Sequence, residues 1–234
     1  MRKAPERESA PFSPLAQRPA NAPGAWENAR MPTLTARTVT LADASGALPA
    51  SPAFVAPPVV ETARLRLRPY RPEDARDIFA VYSDPEVTRY WSFPAWTQLA
   101  QAQAYLTQRL ALEPPSVIAW AVAERGSDRL VGTTTFFALN GPQCRAEIGY
   151  SLARAHHGRG YASEMLRGAI GHGFDACGLE RIEADVDPRN EKSWRLLEKL
   201  GFRREGLARD RWRVGGEVCD SYLYGLLRPE FNAG

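Results

Sequence analysis

From residue 60 onward, the chain alternates short stretches that are apolar at every second position with longer stretches that are apolar at every third or fourth position. The first pattern predicts β-strands and the second predicts amphipathic helices. We expect seven strands, over residues 64–69, 118–124, 130–139, 146–152, 181–186, 202–213 and 218–227. We expect four helices, over residues 71–82, 97–112, 161–176 and 191–200.

Proline and glycine residues mark the ends of these elements. Pro114-Pro115 prevents the second helix from continuing, and Asn140-Gly141-Pro142 predicts a turn between strands. Gly215-Gly216 is typical of a hairpin that joins the last two strands. The resulting order predicts a mixed α/β (α+β) fold, in which helices cover both faces of a central, mostly antiparallel sheet of about seven strands.

Residues 1–59 lack both patterns. They contain ten of the 19 prolines of the chain and are rich in alanine. Such a segment buries too little apolar surface to offset its loss of chain entropy, so we expect a disordered N-terminal arm. Residues 60–234 are then expected to form a single domain.

The chain carries no pattern typical of export or of membrane insertion. The basic start Met1-Arg2-Lys3 is not followed by an apolar stretch of seven or more residues, and no apolar run reaches 18 residues. We therefore expect a cytoplasmic protein with no membrane partner. An organelle transit peptide is the alternative, because acidic residues are few near the N-terminus.

Charge and cysteine content exclude further classes of function. Residues 60–234 contain 24 Lys and Arg against 23 Asp and Glu, which is not the basic footprint of a nucleic-acid-binding domain. Cys144, Cys177 and Cys219 are odd in number and widely spaced, and the chain has only three histidines. Neither a disulfide framework nor a metal site is expected.

A glycine-containing loop, His157-Gly-Arg-Gly-Tyr-Ala162, stands between a predicted strand and a predicted helix. Such a loop exposes unpaired backbone N–H groups at the positive end of the helix, where an anion such as a pyrophosphate can bind. A plain turn and helix start is the alternative. Further on, Asn190 and Ser193 begin the next helix, where both residue types are common caps.

Four segments, residues 62–68, 83–90, 147–150 and 157–202, together resemble the GCN5-related N-acetyltransferase (GNAT) superfamily, and in particular its ribosomal-protein N-terminal acetyltransferase branch. The resemblance covers about residues 60 to 230 and implies the GNAT fold. It also implies transfer of an acetyl group from acetyl-CoA to a primary amine, by direct attack within a ternary complex.

The resemblance favours a protein N-terminal α-amine as the acceptor, such as that of a ribosomal protein. Acetylation of a small amine (an antibiotic, a polyamine or an amino-acid-like compound) is one alternative, and a non-catalytic acyl-CoA-binding module is another. The sequence leaves open whether the protein is a monomer or a homodimer.

The resemblance also implies which residues hold acetyl-CoA. A splayed strand would pair its backbone with the pantetheine arm through Ile148, Gly149, Tyr150, Ser151 and Leu152, and Gly149 suits a bulge. The pyrophosphate would bind at His157, Gly158, Arg159, Gly160, Tyr161 and Ala162, and Asn190 would hydrogen-bond the cofactor. His157 replaces the glutamine or arginine that is usual in the family, and a solvent-facing side chain is the alternative for it.

Glu147 and Ser193 are the implied catalytic residues. Glu147 would accept the proton of the amine or anchor the amine, with a simple surface charge as the alternative. Ser193 would lie near the thioester sulfur, and Leu197 stands where many members have a tyrosine acid. Ser193 or a water molecule is therefore the candidate proton donor. The implied acceptor pocket is aromatic, with core packing as the alternative for its first four members: Tyr90, Trp91, Phe93, Trp96 and Trp212.

Overall fold

A computed structural model describes residues 57–111 and 117–232. Their strands form one eight-stranded sheet in the order β1-β2-β3-β4-β5-β6-β8-β7. Every neighbouring pair is antiparallel except β5 and β6, which are parallel. The strands are β1 (Val60–Glu61), β2 (Leu65–Arg68), β3 (Ile118–Glu124), β4 (Leu130–Asn140), β5 (Arg145–Leu152), β6 (Arg181–Val186), β7 (Arg203–Val214) and β8 (Glu217–Leu227).

Five α-helices accompany the sheet in the described residues: α1 (Ala75–Tyr82), α2 (Pro85–Thr88), α3 (Leu99–Ala111), α4 (Tyr161–Asp175) and α5 (Glu191–Lys199). The predicted mixed α/β class and mostly antiparallel sheet are confirmed. The sequence pattern missed β1, which has two residues, and α2, which has four. Neither element is long enough to show a hydrophobic period. Pro85 at the first position and the Asp84 side chain, which accepts a hydrogen bond from the Glu86 N–H, define α2 instead.

Helices cover both faces of the sheet, because successive side chains of a strand point to opposite faces. In β3, Trp120 and Val122 belong to the core beneath α4 and α5, whereas Ala119 and Ala121 belong to the core beneath α1 and α3. The α4 helix packs very closely against the sheet. A Cβ atom at Gly173 would lie only 2.9 Å from the Phe136 ring, so this contact needs a glycine.

A gap opens in the middle of the sheet. β5 and β6 pair over only three residues each, and the last pair joins Glu147 to Glu183. β5 then continues to Leu152 with β4 as its strand partner, while β6 continues to Val186 beside β8. The two strands therefore diverge, and within the described residues no strand pairs with the β6-facing edge of β5 beyond Glu147.

The prediction of a bulge at Gly149 was wrong. Gly149 pairs with Thr135 in regular register, and the register of this strand pair shifts between Phe137 and Asn140 on β4 instead. Ala138 adopts a positive φ of 49° at that shift. Gly149 has a different structural role, since a Cβ atom there would lie 3.2 Å from Cε1 of Phe137.

The predicted arm, residues 1–59, lies outside the described residues except for its last three. Of these, Pro58 accepts a hydrogen bond of 2.9 Å at its carbonyl from the buried indole N–H of Trp120. Within the described residues, contacts with the sheet therefore extend at least two residues before β1. No helix in the described ranges is long and apolar enough to cross a membrane.

Candidate active site

Glu147 lies at the point where β5 and β6 separate. Its side chain is half-buried and makes no hydrogen bond or ion pair with any other described residue. Burial raises the pKa of the Glu147 carboxyl, and the negative charges of Asp185 and Glu183 raise it further. A half-buried carboxylate with a raised pKa and no hydrogen-bond partner is typical of a functional site.

The acidic neighbours of Glu147 are all paired. Glu183 accepts hydrogen bonds from Arg145 at 2.6 Å and from Arg181 at 2.8 Å. Asp185 accepts hydrogen bonds from Nε of Arg211 at 3.0 Å and from Nε1 of Trp212 at 3.2 Å. Glu147 is thus the unpartnered carboxylate among these three side chains at the gap.

Trp212, a predicted pocket residue, reaches the gap through this bond to Asp185. Its ring remains 44% exposed. The strand β7 gains extra residues opposite β8 between Ala208 and Trp212, and Asp210 adopts a positive φ of 51° there. This irregularity directs both Arg211 and Trp212 at Asp185.

The glycine loop leads from β5 into α4. Gly158 and Gly160 adopt positive φ values of 74° and 77°, a conformation that other residues rarely adopt, and Gly160 caps the helix. The backbone N–H groups from Gly158 to Ala162 donate no hydrogen bond to another described residue. The loop therefore presents free donors at a helix N-terminus, which is the arrangement that binds phosphate groups.

Arg64, which sequence reasoning missed, fastens this loop to the sheet. Its guanidinium donates 2.8 Å to the Arg159 carbonyl, pairs with Glu164 of the first α4 turn at 2.6 Å, and lies 4.6 Å from the centre of the Tyr161 ring. Thr62 also donates to Glu164, at 2.7 Å. Burial raises the pKa of Glu164, but the bonds from Thr62 and Arg64 outweigh that effect and leave the pKa lowered.

His157 is exposed to solvent, as the alternative interpretation supposed, and its ring also makes one contact with β5. Its Nε2 is 2.9 Å from the carbonyl oxygen of Leu152, the last residue of β5. Because a carbonyl only accepts, Nε2 carries the proton in this contact, and a neutral ring then has no N–H at Nδ1 to offer an anion. His157 thus connects the loop to the end of β5.

Asn190 and Ser193 form the N-terminus of α5, on the β6 side of the gap. The Asn190 side-chain oxygen accepts a hydrogen bond of 3.3 Å from the Ser193 N–H, which is the cap predicted from the sequence. The amide NH₂ of Asn190 is left to donate elsewhere. Leu197 is completely buried in the core, so it contributes no group to the site.

A direct contact links the two sides of the gap. The Tyr150 hydroxyl on β5 lies 2.7 Å from the Ser193 hydroxyl on α5. Sequence reasoning assigned only backbone contacts to Tyr150, and no local pattern marked its side chain as polar and functional.

The early aromatic residues form one cluster around Tyr82. Trp91, Phe93 and Trp96 lie with their ring centroids 5.3, 5.7 and 4.8 Å from the Tyr82 ring. Trp96 is 5% exposed and belongs to the core, whereas Trp91 and Phe93 are half-buried. The Tyr82 hydroxyl lies 2.9 Å from that of Thr133, which connects the cluster to β4.

Tyr90 contacts a residue on the β6 side of the gap. Its ring lies 5.8 Å from the guanidinium carbon of Arg189, in the loop between β6 and α5. Arg189 in turn pairs with Asp187 at 2.6 Å and also with Glu217 of β8. Of the five predicted pocket residues, Tyr90 and Trp212 are therefore in contact with residues of the β6–β8 half of the sheet.

Comparison with known proteins identifies the family. A family model described as an acetyltransferase (GNAT) domain matches residues 64–203. The chain is 39% identical over 173 residues to YoaA of Bacillus subtilis, an uncharacterized N-acetyltransferase, a match that covers 74% of this chain and 98% of YoaA. It is 34% identical over 87 residues to the [ribosomal protein uS5]-alanine N-acetyltransferase of Escherichia coli, covering 37% of this chain and 45% of that enzyme.

A solved structure agrees with these matches. RimJ of Mycobacterium smegmatis, determined in complex with CoA-disulfide, has a TM-score of 0.66 and 26% identity to this chain, covering 74% of this chain and 89% of RimJ. The residues matched by the family model include Arg64, the gap, the glycine loop and the start of α5. The chain is therefore an N-acetyltransferase that belongs to the GNAT superfamily, within the branch that includes the ribosomal-protein acetyltransferases.

Proposed function

We propose that this N-acetyltransferase binds acetyl-CoA in the gap between β5 and β6 and transfers the acetyl group directly to a protein N-terminal α-amine. The observation that carries the proposal is the position of Glu147, an unpartnered carboxylate with a raised pKa where the two strands separate. A base at that point lies beside the backbone edge expected to hold the thioester.

The chain offers two kinds of contact to acetyl-CoA. The backbone of Ile148, Gly149, Tyr150, Ser151 and Leu152 supplies an unpaired strand edge for the pantetheine arm. The free N–H groups from Gly158 to Ala162 supply donors for the pyrophosphate, and the Asn190 NH₂ supplies one further donor. A backbone N–H of the strand edge would stabilise the negative charge that develops on the thioester oxygen.

Glu147 suits the deprotonation of an α-amine better than that of a lysine side chain. An α-amine has a reference pKa near 7.8, so a useful fraction of it is neutral at physiological pH. A lysine side-chain amine has a reference pKa near 10.4, about 2.6 units higher, so its neutral fraction is much smaller. The raised pKa of the Glu147 carboxyl is closer to the pKa of an α-amine. Proton transfer from the amine to Glu147 is therefore more favourable. The similarity to the uS5-alanine acetyltransferase supports the same acceptor class.

A thiol-release screen tests the proposal. The purified protein is incubated with acetyl-CoA and with peptides that have a free N-terminus, the same peptides with a blocked N-terminus, and small amines such as spermidine. We expect CoA release only with a free peptide N-terminus, whether or not lysines are blocked. Release with spermidine alone would assign a small-amine acceptor, and CoA binding without release to any amine would favour a non-catalytic acyl-CoA-binding module.

A further inference from the structure

The hydrogen bond between Tyr150 and Ser193 joins two hydroxyl groups across the gap. Tyr150 Oη lies 2.7 Å from Ser193 Oγ and 3.4 Å from the Ser193 carbonyl oxygen. The Ser193 backbone is itself fixed, because its N–H contacts both the carbonyl and the side-chain oxygen of Asn190. The rotation of the Ser193 side chain is therefore determined mainly by Tyr150.

Tyr150 is protonated at physiological pH. Burial raises the pKa of its phenol to about 12, and the contact with Ser193 only partly opposes this. A CoA thiol has a reference pKa near 8.5, so proton transfer from the phenol to a thiolate is unfavourable by about 3.5 units. Tyr150 therefore keeps its proton, which it can donate to Ser193 in a hydrogen bond, and it is not a general acid.

The direction of the hydrogen bond decides what Ser193 can do. When Tyr150 donates to Ser193 Oγ, the Ser193 proton must point to another acceptor. Donation into a hydroxyl oxygen also polarises the O–H bond, so its proton becomes a better donor. With acetyl-CoA in the gap, the thioester sulfur would be an acceptor for that proton.

We propose that Tyr150 is a positioning residue, which orients and polarises the Ser193 hydroxyl toward the sulfur atom that leaves as CoA thiolate. This inference rests on the proposed function. When the amine attacks, the C–S bond breaks and its electron pair stays on sulfur, where the Ser193 O–H hydrogen-bonds it. The amine proton passes to Glu147, and the thiolate takes its proton from water. No proton is lost from Tyr150.

The thiol pKa of enzyme-bound CoA tests this proposal without any acceptor amine. The thiolate is followed by its ultraviolet absorbance during a pH titration, with bound desulfo-CoA, which lacks the sulfur atom, as the blank. In the wild type we expect a thiol pKa below that of free CoA. Ser193→Ala is expected to raise it by about 1 unit and Tyr150→Phe by about half as much.

A double variant separates positioning from general support of the fold. If Tyr150 acts through Ser193, Tyr150→Phe should change the thiol pKa of bound CoA only when Ser193 is present. In a protein that already carries Ser193→Ala, adding Tyr150→Phe should leave the thiol pKa unchanged. With a peptide acceptor, kcat should fall about tenfold in Tyr150→Phe while KM for acetyl-CoA changes less than about threefold.

Tyr224→Phe is the matched control. The Tyr224 hydroxyl donates 3.0 Å to Glu198, also on α5, and burial raises its pKa to about 12 as well. Removing it should leave the thiol pKa of bound CoA unchanged. Replacement of Tyr150 by 3-fluorotyrosine keeps the hydroxyl and makes it a stronger donor, so the thiol pKa should fall below the wild-type value.

Two results would contradict the proposal, and they differ from failure of the proposed function. A thiol pKa that is the same in the wild type and in Tyr150→Phe would remove Tyr150 from the mechanism, as would an equal change in the Ser193→Ala background. A protein that binds neither CoA nor desulfo-CoA would instead refute the assignment of the gap as the acetyl-CoA site.

Discussion

Glu147, at the gap, and Glu164, in the first turn of α4, have pKa values that are shifted in opposite directions. Glu147 has no hydrogen-bond partner among the described residues, so burial raises its pKa. Glu164 is also half-buried, but three donor groups of Thr62 and Arg64 bond its carboxylate and leave its pKa lowered. A raised pKa means that ionisation destabilises the fold, and a lowered pKa means that it stabilises the fold.

We expect the two Glu→Gln variants to change stability in opposite directions at pH 7. Glu147→Gln should raise the melting temperature, because it removes a charge that the fold disfavours, and Glu164→Gln should lower the free energy of unfolding by about 1 kcal/mol. The Glu147 effect should develop as pH rises from about 4.3 through the raised pKa. The Glu164 effect, fully present above about 4.3, should disappear as pH falls through the lowered pKa. Thermal unfolding from pH 3 to pH 8 measures both effects.

Glu147→Gln should also slow acetyl transfer by about 100-fold at pH 7 while acetyl-CoA affinity is retained. The loss should shrink above about pH 8, where solvent alone supplies the neutral α-amine. A pH–rate comparison at saturating acetyl-CoA measures this. Glu183→Gln is the control, since it changes the charge beside the gap but removes a carboxylate that Arg145 and Arg181 already hold. A loss independent of pH would make Glu147 an anchor for the positive amine.

At the scale of elements, α4 has a positive-φ glycine on each side of it. Gly160 precedes its first turn with φ of 77°, and Gly178 follows its end with φ of 66°. A Cβ atom at Gly160 would lie 3.4 Å from the Arg64 guanidinium, whereas one at Gly178 would have no atom within 4 Å. The two glycines share one backbone requirement and differ in their surroundings.

We expect Gly160→Val and Gly178→Val to destabilise the protein by similar amounts, about 1–2 kcal/mol, because each forces a branched residue into a left-handed conformation. Only Gly160→Val should weaken acetyl-CoA binding, by tenfold or more, since it displaces Arg64 and blocks approach to the loop backbone. Calorimetric titration of both variants with acetyl-CoA distinguishes these effects. Equal affinities would show that the loop does not hold the pyrophosphate.

Two substitutions of Asn190 separate its role as a cap from its proposed role in cofactor binding. Asn190→Ala removes the α5 cap and should cost about 1 kcal/mol of stability, whereas Asn190→Ser keeps a good cap. If the Asn190 NH₂ contacts acetyl-CoA, both variants should lose affinity equally. Normal affinity in Asn190→Ser would limit Asn190 to capping. Denaturant unfolding and acetyl-CoA titration provide the two readouts.

The elements were predictable from the sequence where the signal is local. The glycines of the loop, the Asn190 cap and the apolar face of α4 each depend on residues within one or two turns. The contacts made by Arg64 and Tyr150 were not predictable, because their partners are 100 and 43 residues away. The bulge prediction for Gly149 was wrong because the glycine makes room for a neighbouring ring, which a strand pattern does not reveal.

At the scale of the whole molecule, the β5–β6 junction connects two parts of the sheet. Strands β1 to β5 lie on one side and β6, β8 and β7 on the other, with three residue pairs between them. The family fold could be predicted because the hydrophobic pattern of the sequence predicts the order of strands and helices. The position of the separation, at Glu147, depends on how far two strands remain in register, and single-strand periodicity does not contain that information.

The N-terminal boundary of the domain can be tested with two truncations. Deleting residues 1–56 should leave the melting temperature and activity nearly unchanged, as a separate arm predicts. Deleting residues 1–59 should destabilise the protein by about 1–3 kcal/mol, because the buried Trp120 indole loses the Pro58 carbonyl as its acceptor. Thermal unfolding of both truncated proteins measures the difference. A large loss on the shorter deletion would show that the arm supports the domain.

The short β5–β6 pairing has a consequence for the lifetime of the protein in the cell. A bound pantetheine arm would take the place of the strand that is missing beside residues 148–152, so the cosubstrate would complete the sheet. Ligands that bind only the folded state lower the unfolded population in proportion to their concentration. We therefore expect proteolytic turnover of this enzyme to follow nutrient supply, with slow degradation when acetyl-CoA is abundant and faster degradation during starvation.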